Sequence, residues 1–457
     1  MKYKELLKGL EVSEVMLSEL ERTCRIDSEF YQKENLSIQE LLKNNNAIKL
    51  TDMVGVSDGN HMSISDNFCE TGIPYYRGQD IHDFFIENAT PICIPESVFR
   101  IPTMYRSHLK KGDVLLSIVG TIGEVSLVNF DNNATCSCKL AILRPKAQYK
   151  SEIIAIFLQS KYGQNQIKKF IRGAVQMGFI LEDANQIFIP QFSNIFQSQI
   201  EQIVKSAHSK LQQSRSLYSE AEDILLSELG LKGWRPNNAP VNIKQLKDSF
   251  LASGRLDAEY YQQKYDELLK KLSKYECDTL IHIANTKKSV EPGSEAYQDC
   301  GIPFVRVSDI SKFGISEPQI FLSPNDFDLN DLQPKKDTIL LSKDGSVGIA
   351  YKVEEDLDCI TSGALLHLSV FNKDYTPDYL TLVLNSIVVQ MQAERDSNGA
   401  IIQHWKPSEI EQVIIPKLPK PIQETISAKI QESFALQAES KRLLEEAKMM
   451  VEREIEA

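Results

Sequence analysis

The sequence lacks the long apolar runs and the paired cysteines that mark membrane, exported and zinc-binding proteins. Its 457 residues contain no uninterrupted apolar run of about 18 residues or more and no signal-peptide pattern at the Lys-rich start, so we expect neither a membrane span nor export. The eight cysteines are scattered, and only Cys136 and Cys138 lie close together. This spacing disfavours a structural zinc site and favours reduced thiols in the cytoplasm.

Compact catalytic motifs are also absent. The chain contains no GxxxxGKS/T phosphate loop, no HExxH helix, no GxSxG elbow and no Asn/Asp-Pro-Pro-aromatic motif for base methylation. The seven histidines do not have the spacing of metal ligands. We therefore expect a non-catalytic protein without a metal or a cofactor, and an enzyme with a duplicated centre of unfamiliar type stays open as an alternative.

A surplus of positive charge is missing as well. The formal net charge is -12, which argues against a simple basic nucleic-acid binder. Residues 46–195 hold 14 Lys/Arg and 14 Asp/Glu, whereas residues 276–420 hold 13 Lys/Arg against 22 Asp/Glu. If this chain contacts DNA, a basic partner is expected to supply most of the phosphate neutralisation.

What the sequence does contain is one series of landmarks that occurs twice, with an offset of about 225 to 230 residues. The pairs are RIDSEFY (25–31) and RLDAEYY (255–261), GIPYYRGQDI (72–81) and GIPFVRVSDI (301–310), LLSIVGTIG (115–123) and LLSKDGSVG (340–348), and the Gly-Ala to Ile-Pro passages 173–190 and 399–416. The period is far longer than that of a solenoid or propeller, so each copy is predicted to be a domain with its own core.

Each half consists of three sections. A short amphipathic entry segment comes first, at 1–45 and 241–275. It is followed by about 140 residues in which β-branched and aromatic runs alternate with Gly, Pro, Asn and Asp, a pattern that predicts strands such as 113–119 and 141–143. Helical stretches intervene, such as 153–170. The third section is a long helix.

The first long helix is predicted to run from near Phe196 to about Leu229, and the second from Pro421 towards the C-terminus. Their apolar residues recur every three or four positions, with one gap around Ser214. Each helix could pack on its own domain, but two such helices in one chain more simply pair with each other. A helix of about 35 residues spans about 50 Å, so an antiparallel pair would be a spacer between two heads related by an approximate two-fold axis.

These sections predict an α+β fold with two similar domains, mixed and strand-rich with helices, separated by a pair of long antiparallel helices. The predicted boundaries are 1–195 for the first domain with its entry segment, 196–240 for the first helix and its linker, 241–420 for the second domain with its entry segment, and 421–457 for the second helix.

The Ser-x-x-Gly-x-x-Gly pattern at 117–123 and 342–348 predicts a tight turn between two strands, because glycine permits positive φ and close backbone approach. No Lys-Ser/Thr and no evident helix follow, so a nucleotide site is disfavoured. A contact between the turn and a DNA phosphate is plausible, since Lys343 lies inside the second copy.

Several polar residues recur beside these landmarks. Arg77 and Arg306 form either an ion pair with nearby Asp80 or Asp309 or a contact with DNA, and the lysines before the glycine turns are either solvated or bound to phosphate. Polar residues near the Gly-Ala landmarks are either ordinary loop residues at the surface or residues that read base edges. The candidate DNA contacts are Arg77, Gln79, Arg106, Lys110, Lys111, Arg172, Gln176, Arg306, Ser308, Lys335, Lys336, Lys343, Gln403, His404 and Lys406.

The landmarks occur in the same order in both halves. With this arrangement, essentially the whole chain resembles the specificity subunits of type I restriction-modification systems. In that family each half is a target recognition domain followed by a helical spacer. The resemblance implies a non-catalytic cytoplasmic subunit that reads a bipartite, asymmetric site on double-stranded DNA. It also implies docking of two methyltransferase subunits and, through them, motor-nuclease subunits.

The acidic second half departs from the expectation for a DNA reader. A second class of function therefore stays open, namely a two-headed adaptor that binds other proteins and has no DNA specificity.

Overall fold

The computed structural model describes residues 7, 9–23, 25–89, 91–173, 177–237, 239, 241–327, 329–399 and 402–457. The chain divides into two compact units: unit 1 comprises Met1–Leu211 and Ala438–Ala457, and unit 2 comprises Gln212–Gln437. Helices and strands are mixed in both units, which confirms the predicted α+β class.

The strands of unit 1 are short and mostly antiparallel. They are β1 (Ile48–Lys49), β2 (Val54–Asp58), β3 (Ile73–Tyr76), β4 (Ile92–Ile94), β5 (Val114–Ser117), β6 (Val125–Leu127), β7 (Thr135–Cys136), β8 (Leu140–Pro145) and β9 (Phe188–Ile189). A four-stranded sheet has the order β2-β8-β5-β6, a smaller sheet has the order β4-β3-β7, and β1 pairs with β9. Of these pairs, only β3 and β7 run parallel.

Besides these strands, unit 1 contains α-helices and 3-10 turns. The α-helices are α1 (Leu17–Thr23), α2 (Lys33–Asn44), α3 (Leu50–Met53), α4 (Glu96–Phe99), α5 (Ser151–Gln159), α6 (Lys161–Lys169) and α7 (Asn194–Glu228), the last continuing into unit 2. The 3-10 turns Glu29–Tyr31, Ser65–Asn67, Gly78–Asp80 and Ile86–Asn88 have three residues each, and Pro102–Ser107 and Leu181–Gln186 have six.

Unit 2 repeats the same layout. Its strands are β10 (Cys277–Thr279), β11 (Ala284–Lys288), β12 (Ile302–Val305), β13 (Ile310–Ser311), β14 (Gly314–Ile315), β15 (Phe321–Leu322), β16 (Ile339–Ser342), β17 (Ala350–Lys352), β18 (Ile360–Thr361), β19 (Leu365–Val370) and β20 (Ile414–Pro416). The orders β11-β19-β16-β17 and β15-β12-β18 and the pair β10-β20 match those of unit 1, and β13-β14 adds a small hairpin.

The helices of unit 2 follow the same sequence of positions. The α-helices are α8 (Phe250–Ser253), α9 (Gln263–Leu272), α10 (Leu329–Leu332), α11 (Pro377–Asn385), α12 (Ile387–Asp396), α13 (Pro407–Ile410) and α14 (Lys420–Glu456), whose last part belongs to unit 1. The 3-10 turns are Leu246–Asp248, Glu259–Tyr261, Leu280–His282, Ser294–Ala296 and Val307–Asp309.

One helix is the centre of each core. Residues 153–158 of α5 are all buried and pack with one face of the four-stranded sheet in a single apolar cluster. The equivalent α11 of unit 2 is buried from Asp378 to Leu384. A short helix that is buried on nearly all sides has an almost continuous apolar sequence, which is what these two segments show.

The two long helices pair with each other inside each unit. In unit 1, Ser440 Oγ donates a hydrogen bond to the Ala207 carbonyl at 2.7 Å, and the ammonium of Lys210 lies 2.9 Å from a carboxylate oxygen of Glu439. Apolar residues from both helices, among them Ile200, Val204, Val451 and Ile455, share the core cluster of that unit. This pairing confirms the predicted antiparallel arrangement.

In unit 2 the pairing explains the gap in the apolar pattern around Ser214. The hydroxyl groups of Ser214 and Ser433 lie 3.0 Å apart, and Ser433 also donates to the Ser214 carbonyl at 2.7 Å. Two small residues facing each other allow the helix backbones to approach closely, while each hydroxyl is satisfied by the other helix.

The predicted single helical stretch at 153–170 is two helices. Ser160 has an extended backbone (φ -66, ψ 161), and its hydroxyl accepts a hydrogen bond from the Gly163 amide at 3.3 Å. A Cβ atom at Gly163 would lie 2.2 Å from the Phe157 carbonyl oxygen, so glycine permits this sharp corner. Apolar periodicity continues across the corner, which is why the sequence does not reveal it.

No helix within the described ranges carries an apolar stretch of the length and hydropathy that crossing a bilayer requires.

Buried His367 on β19 predicts a specific pH dependence of stability. Its ring is 7% exposed, hydrogen-bonds Thr361 at 2.7 Å, and has its pKa lowered to about 4 by burial and, to a lesser extent, by Lys287. The unfolded chain therefore binds a proton more tightly than the folded one between about pH 6.5 and pH 4, and about 3 kcal/mol of stability is expected to be lost across this window as the pH falls.

Urea unfolding of the wild type and of His367→Gln at pH 7.5 and pH 4.5 measures this effect. The variant keeps a hydrogen-bonding side chain without a titrating ring, and it is expected to lose clearly less stability on acidification than the wild type. An equal loss in both proteins would contradict the assignment, because the carboxylates that titrate in this range are the same in both.

Candidate nucleic-acid interface

The predicted glycine turn is present in both units as the connection between two antiparallel strands. It joins β5 to β6 in unit 1 and β16 to β17 in unit 2. Gly120 and Gly345 have φ of +89° and +74° with open space where a Cβ would be. The left-handed backbone, and not crowding, therefore requires glycine at these two positions.

A glutamine braces each turn in the same way. Gln164 donates to the carbonyls of Gly123 and Leu158, both at 2.8 Å. Gln390 donates to the carbonyls of Gly348 at 2.7 Å and Leu384 at 3.0 Å. The turn is thus fixed to the corner between two helices, so its tip is held in a set position.

A short 3-10 turn follows the Ile-Pro-aromatic strand in each unit and contains Arg77 or Arg306. The Arg77 guanidinium donates to Asp80 at 3.1 and 3.3 Å, and the Arg77 amide donates to the same carboxylate at 2.8 Å. Arg306 and Asp309 repeat these contacts at 3.4, 3.5 and 2.9 Å. The ion pair, one of the two interpretations open from the sequence, is therefore formed.

In unit 1 this Arg77 turn lies directly against the glycine turn. A Cβ at Gly78 would lie 3.2 Å from the Val119 carbonyl, and Thr121 Oγ1 donates to the Gly78 carbonyl at 3.4 Å. Gln79 follows on the exposed side of the Arg77 turn. The two landmarks, which lie about 40 residues apart in sequence, thus form one continuous surface.

Lys139 joins this surface and was not among the residues proposed from the sequence. Its carbonyl accepts a hydrogen bond from the Ile118 amide at 3.0 Å, its Cβ is 3.8 Å from where a Cβ of Gly78 would be, and its side chain is exposed. The repeat could not indicate it, because the equivalent carbonyl in unit 2, bonded by the Lys343 amide at 2.9 Å, belongs to Ala364.

In unit 2 the glycine turn meets the segment that follows the second Gly-Ala landmark. The Gly345 amide donates to the Gln403 carbonyl at 2.9 Å, and Asp344 forms an isolated β-bridge with His404. The carboxylate of Asp344 binds both the ammonium of Lys343 and, at 2.8 Å, Nδ1 of His404. Lys343 is only 6% exposed and His404 is 62% exposed at its side chain, so His404 and not Lys343 is presented to solvent.

Unit 1 has the same backbone connection with different side chains. Val119 forms an isolated bridge with Gly178, and Arg172 and Gly178 exchange two backbone hydrogen bonds at 3.0 and 2.8 Å. The Arg172 guanidinium is held by Asp183 at 2.5 and 2.6 Å. Gln176 lies outside the described residues.

Arg106 belongs to a second polar cluster of unit 1. Its guanidinium pairs with Asp58 at the end of β2, and the same carboxylate accepts from Nε2 of His61 at 2.5 Å. Neither Asp58 nor His61 stands in a repeated landmark, so the sequence pattern gave no reason to single them out.

The lysine pairs before the glycine-turn strands are exposed at the surface. Lys111 pairs with Asp131 at 2.9 Å and Lys335 with Asp356 at 3.4 Å. The Lys110 and Lys336 side chains are exposed without an ion pair among the described residues. The remaining candidates are also exposed: Ser308 donates to Asp309 at 2.9 Å, Lys406 lies 3.7 Å from Glu409, and the side chain of Gln403 is at the surface.

Charge is therefore largely neutralised across the candidate surface. Eight of the ten cationic candidates pair with a carboxylate of their own unit: Arg77, Arg106, Lys111, Arg172, Arg306, Lys335, Lys343 and Lys406. The pairs Lys111–Asp131 and Lys335–Asp356 are exposed on both sides, and such a pair contributes at most about 1 kcal/mol, so a phosphate could compete for these two lysines. The paired carboxylates nevertheless weaken the long-range attraction of DNA.

Among the described residues, no group of three or more His, Cys, Asp or Glu side chains is arranged to hold a metal ion. The described surface offers hydrogen-bonding groups on rigid turns, together with a small number of exposed cations that have no carboxylate partner among the described residues.

Comparison with solved structures found similarity to S subunits of type I restriction-modification systems. One is the S subunit from M. genitalium, with 15% identity over 90% of this chain and 94% of that chain and a TM-score of 0.38. Another is the HsdS subunit from Thermoanaerobacter tengcongensis, with 15% identity over 90% and 95% and a TM-score of 0.29. A third belongs to a study of complex assembly in the type I R-M system, with 15% identity over 90% and 96% and a TM-score of 0.29. No protein-family model matches the chain, and no curated protein matches its sequence.

Proposed function

We propose that this chain is the non-catalytic subunit of a type I restriction-modification complex that recognises the DNA sequence. Each unit would read one half of a bipartite site on double-stranded DNA, with target recognition in residues 46–195 and 276–420. The observation that carries the proposal is that the two units share one framework but present different side chains on it.

The two units share their framework down to individual hydrogen bonds. Sheet order, glutamine brace, Arg–Asp turn and the bridge behind the glycine turn are the same in both units. The residues on that framework differ, as in Gln79 and Ser308, Lys139 and Ala364, and Gly178 and His404. A duplicated scaffold with different tips is suited to reading two different short sequences, which makes the whole site asymmetric.

The exposed groups have the chemistry that base reading requires. The amides of Gln79 and Gln403 can bind an adenine edge through two hydrogen bonds, and the imidazole of His404 has Nε2 available because Nδ1 binds Asp344. Tight turns held by buried helices give these groups a fixed geometry.

The scarcity of unpaired cations supports dependence on partner subunits. Phosphate neutralisation supplies a large share of the affinity in protein–DNA complexes, and the candidate surface has few cations without a carboxylate neighbour. We therefore propose that two methyltransferase subunits dock on the chain and contribute charge around the duplex, with motor-nuclease subunits joining through them. Such a complex would act on DNA in the cytoplasm.

Assembly with the methyltransferase subunits and the side chain of Lys139 are both expected to determine DNA affinity. The chain alone is expected to bind its DNA weakly, and the complex with its methyltransferase subunits to bind it specifically. In that complex Lys139→Ala is expected to lower affinity severalfold and to reduce the slope of log K against log salt by about 1, because one phosphate contact is lost. Fluorescence anisotropy across a salt series measures both quantities.

Lys43→Ala provides the matched control, since Lys43 is an exposed lysine of unit 1 that belongs to α2 and to neither the glycine turn nor the Arg77 turn. It is expected to leave affinity and salt slope unchanged. Equal effects of the two substitutions, or specific binding by the isolated chain, would contradict the proposed arrangement.

Each unit is expected to read one half-site. Replacing residues 46–194 with the equivalent residues 276–420 gives both units the same tips. The methylated motif in cells that carry this chimera is expected to contain two copies of one half-site, because the first reader has been exchanged for the second. Sequencing of modified bases in genomic DNA reads the motif directly, and retention of both original half-sites would refute the assignment.

The acidic surface supports one alternative, a two-headed adaptor that binds basic proteins and not DNA. Residues 276–420 carry 13 Lys/Arg against 22 Asp/Glu, a balance that favours a cationic protein partner. Capture of the same partner after nuclease treatment, together with no salt-dependent DNA shift in the assembled complex, would favour the adaptor over the DNA reader.

A further inference from the structure

Unit 1 contains a polar cavity whose lining includes none of the candidate DNA contacts. It has a volume of about 380 Å³ and lies among α2, α6, the 3-10 turn at Leu181–Gln186 and the paired strands β1 and β9. More than half of its lining residues carry a side-chain amide: Asn35, Gln39, Asn165, Gln166, Asn185 and Gln186. A cavity of this size is in the range of small-molecule sites.

In unit 2 the equivalent positions carry buried side chains of the apolar core. The correspondence is fixed by Gln166 and Gln392, each of which exchanges hydrogen bonds with the backbone of the last strand, Phe188 or Ile414, at 2.8 to 3.0 Å. One position earlier on the same helix, Asn165 of unit 1 corresponds to Met391 of unit 2.

The second difference is on the preceding helix. Counting from the paired RIDSEFY and RLDAEYY segments, Asn35 on α2 corresponds to Tyr265 on α9. Tyr265 and Met391 are 4% and 5% exposed and belong to the apolar core of unit 2. Two asparagines in place of a tyrosine and a methionine therefore leave a cavity in unit 1.

The polar lining has a specific chemical character. Of the described residues that line the cavity, none carries a carboxylate, while Lys49 and Lys169 carry ammonium groups. The ammonium of Lys169 binds Gln39 Oε1 at 3.2 Å and lies 4.1 Å from the centre of the Phe30 ring. This arrangement favours an anionic occupant.

The side-chain oxygen of one lining residue, Asn165, also lacks a hydrogen-bond donor. Oδ1 of Asn165 is buried without a hydrogen-bond partner. Leaving such an acceptor unsatisfied costs about 1 to 3 kcal/mol, which a bound molecule with an N–H or O–H group would recover. In unit 2 no such cost arises at this position, because Met391 is apolar.

We propose that the cavity binds a small molecule that combines a carboxylate or phosphate with an N–H or O–H donor. The anion is held by Lys49 and Lys169, and the donor reaches the amide-lined wall at Asn165. The site belongs to unit 1 alone, so one molecule binds per chain. This inference is independent of the proposed DNA role and adds a ligand site to one of the two otherwise similar units.

Isothermal titration calorimetry of the full chain with two probes tests the proposal. L-glutamine offers a carboxylate with an amide donor, and AMP offers a phosphate with amine and hydroxyl donors, so the two distinguish the kind of oxyanion. At least one of them is expected to bind with a stoichiometry of about one per chain at concentrations up to about 10 mM, ten times the Kd of a weak ligand. No binding of either probe would overturn the proposal.

Variants copied from unit 2 locate the binding. The double substitution Asn35→Tyr with Asn165→Met supplies the side chains that occupy the equivalent positions in unit 2, and it is expected to abolish binding of the probe. If the double variant binds as well as the wild type, the proposal fails, because the probe then occupies another place. Its thermal unfolding midpoint shows whether unit 1 remains folded.

A charge substitution provides a test that does not alter packing. Lys49→Ala is expected to weaken binding by about tenfold or more, as expected for loss of a hydrogen bond to a charged group. Lys168→Ala, at an exposed lysine on α6 outside the lining, is the matched control and is expected to leave the Kd unchanged. Equal effects of the two substitutions would overturn the assignment.

Discussion

The pairing of the two long helices is the constraint on which each unit depends. The core of unit 1 contains the beginning of α7 and the end of α14, and the core of unit 2 contains the end of α7 and the beginning of α14. The core of unit 1 is therefore incomplete without residues 438–457 from the other end of the chain, whereas unit 2 is one continuous segment that begins in α7 and ends in α14. Small residues at the crossing of Ser214 and Ser433, and cross-helix bonds such as Ser440 to Ala207, fix the register of the pair.

The duplicated fold has two kinds of residue: framework residues that are the same in both units, and surface side chains that differ between them. The glycine turns, their glutamine braces and the Arg–Asp turns are framework, because each satisfies buried backbone groups or a left-handed backbone. The side chains at the tips do not support the core, so they can differ between units without loss of stability. A protein that reads two different short sequences needs this division, and the same division leaves unit 1 free to contain a polar cavity where unit 2 has a tyrosine and a methionine.

The distribution of charge bears on the proposed reading of DNA by this chain. Most of the cations that stand beside the repeated landmarks are already paired within their own unit, so attraction of the phosphate backbone is a weak basis for binding by this chain alone. Hydrogen-bonding groups such as Gln79, Gln403 and His404 depend on geometry more than on net charge. That balance suits a subunit that contributes specificity to a complex and obtains affinity from basic partners.

Residue order was enough to predict the α+β class, the two similar halves, the long helices and their pairing, and the turns at the paired glycines. Periodicity and glycine spacing are local signals, and a repeat is recognised by comparing the chain with itself. The tertiary structure alone decided the corner at Ser160, the strand pairing and the contacts of each side chain. Lys139 and the cavity around Asn165 were invisible in the sequence, since both arise where segments far apart in the chain meet and neither has a counterpart in the repeat. Whether Arg77 stands free or pairs with Asp80 was likewise a question of three-dimensional distance, which residue order does not contain.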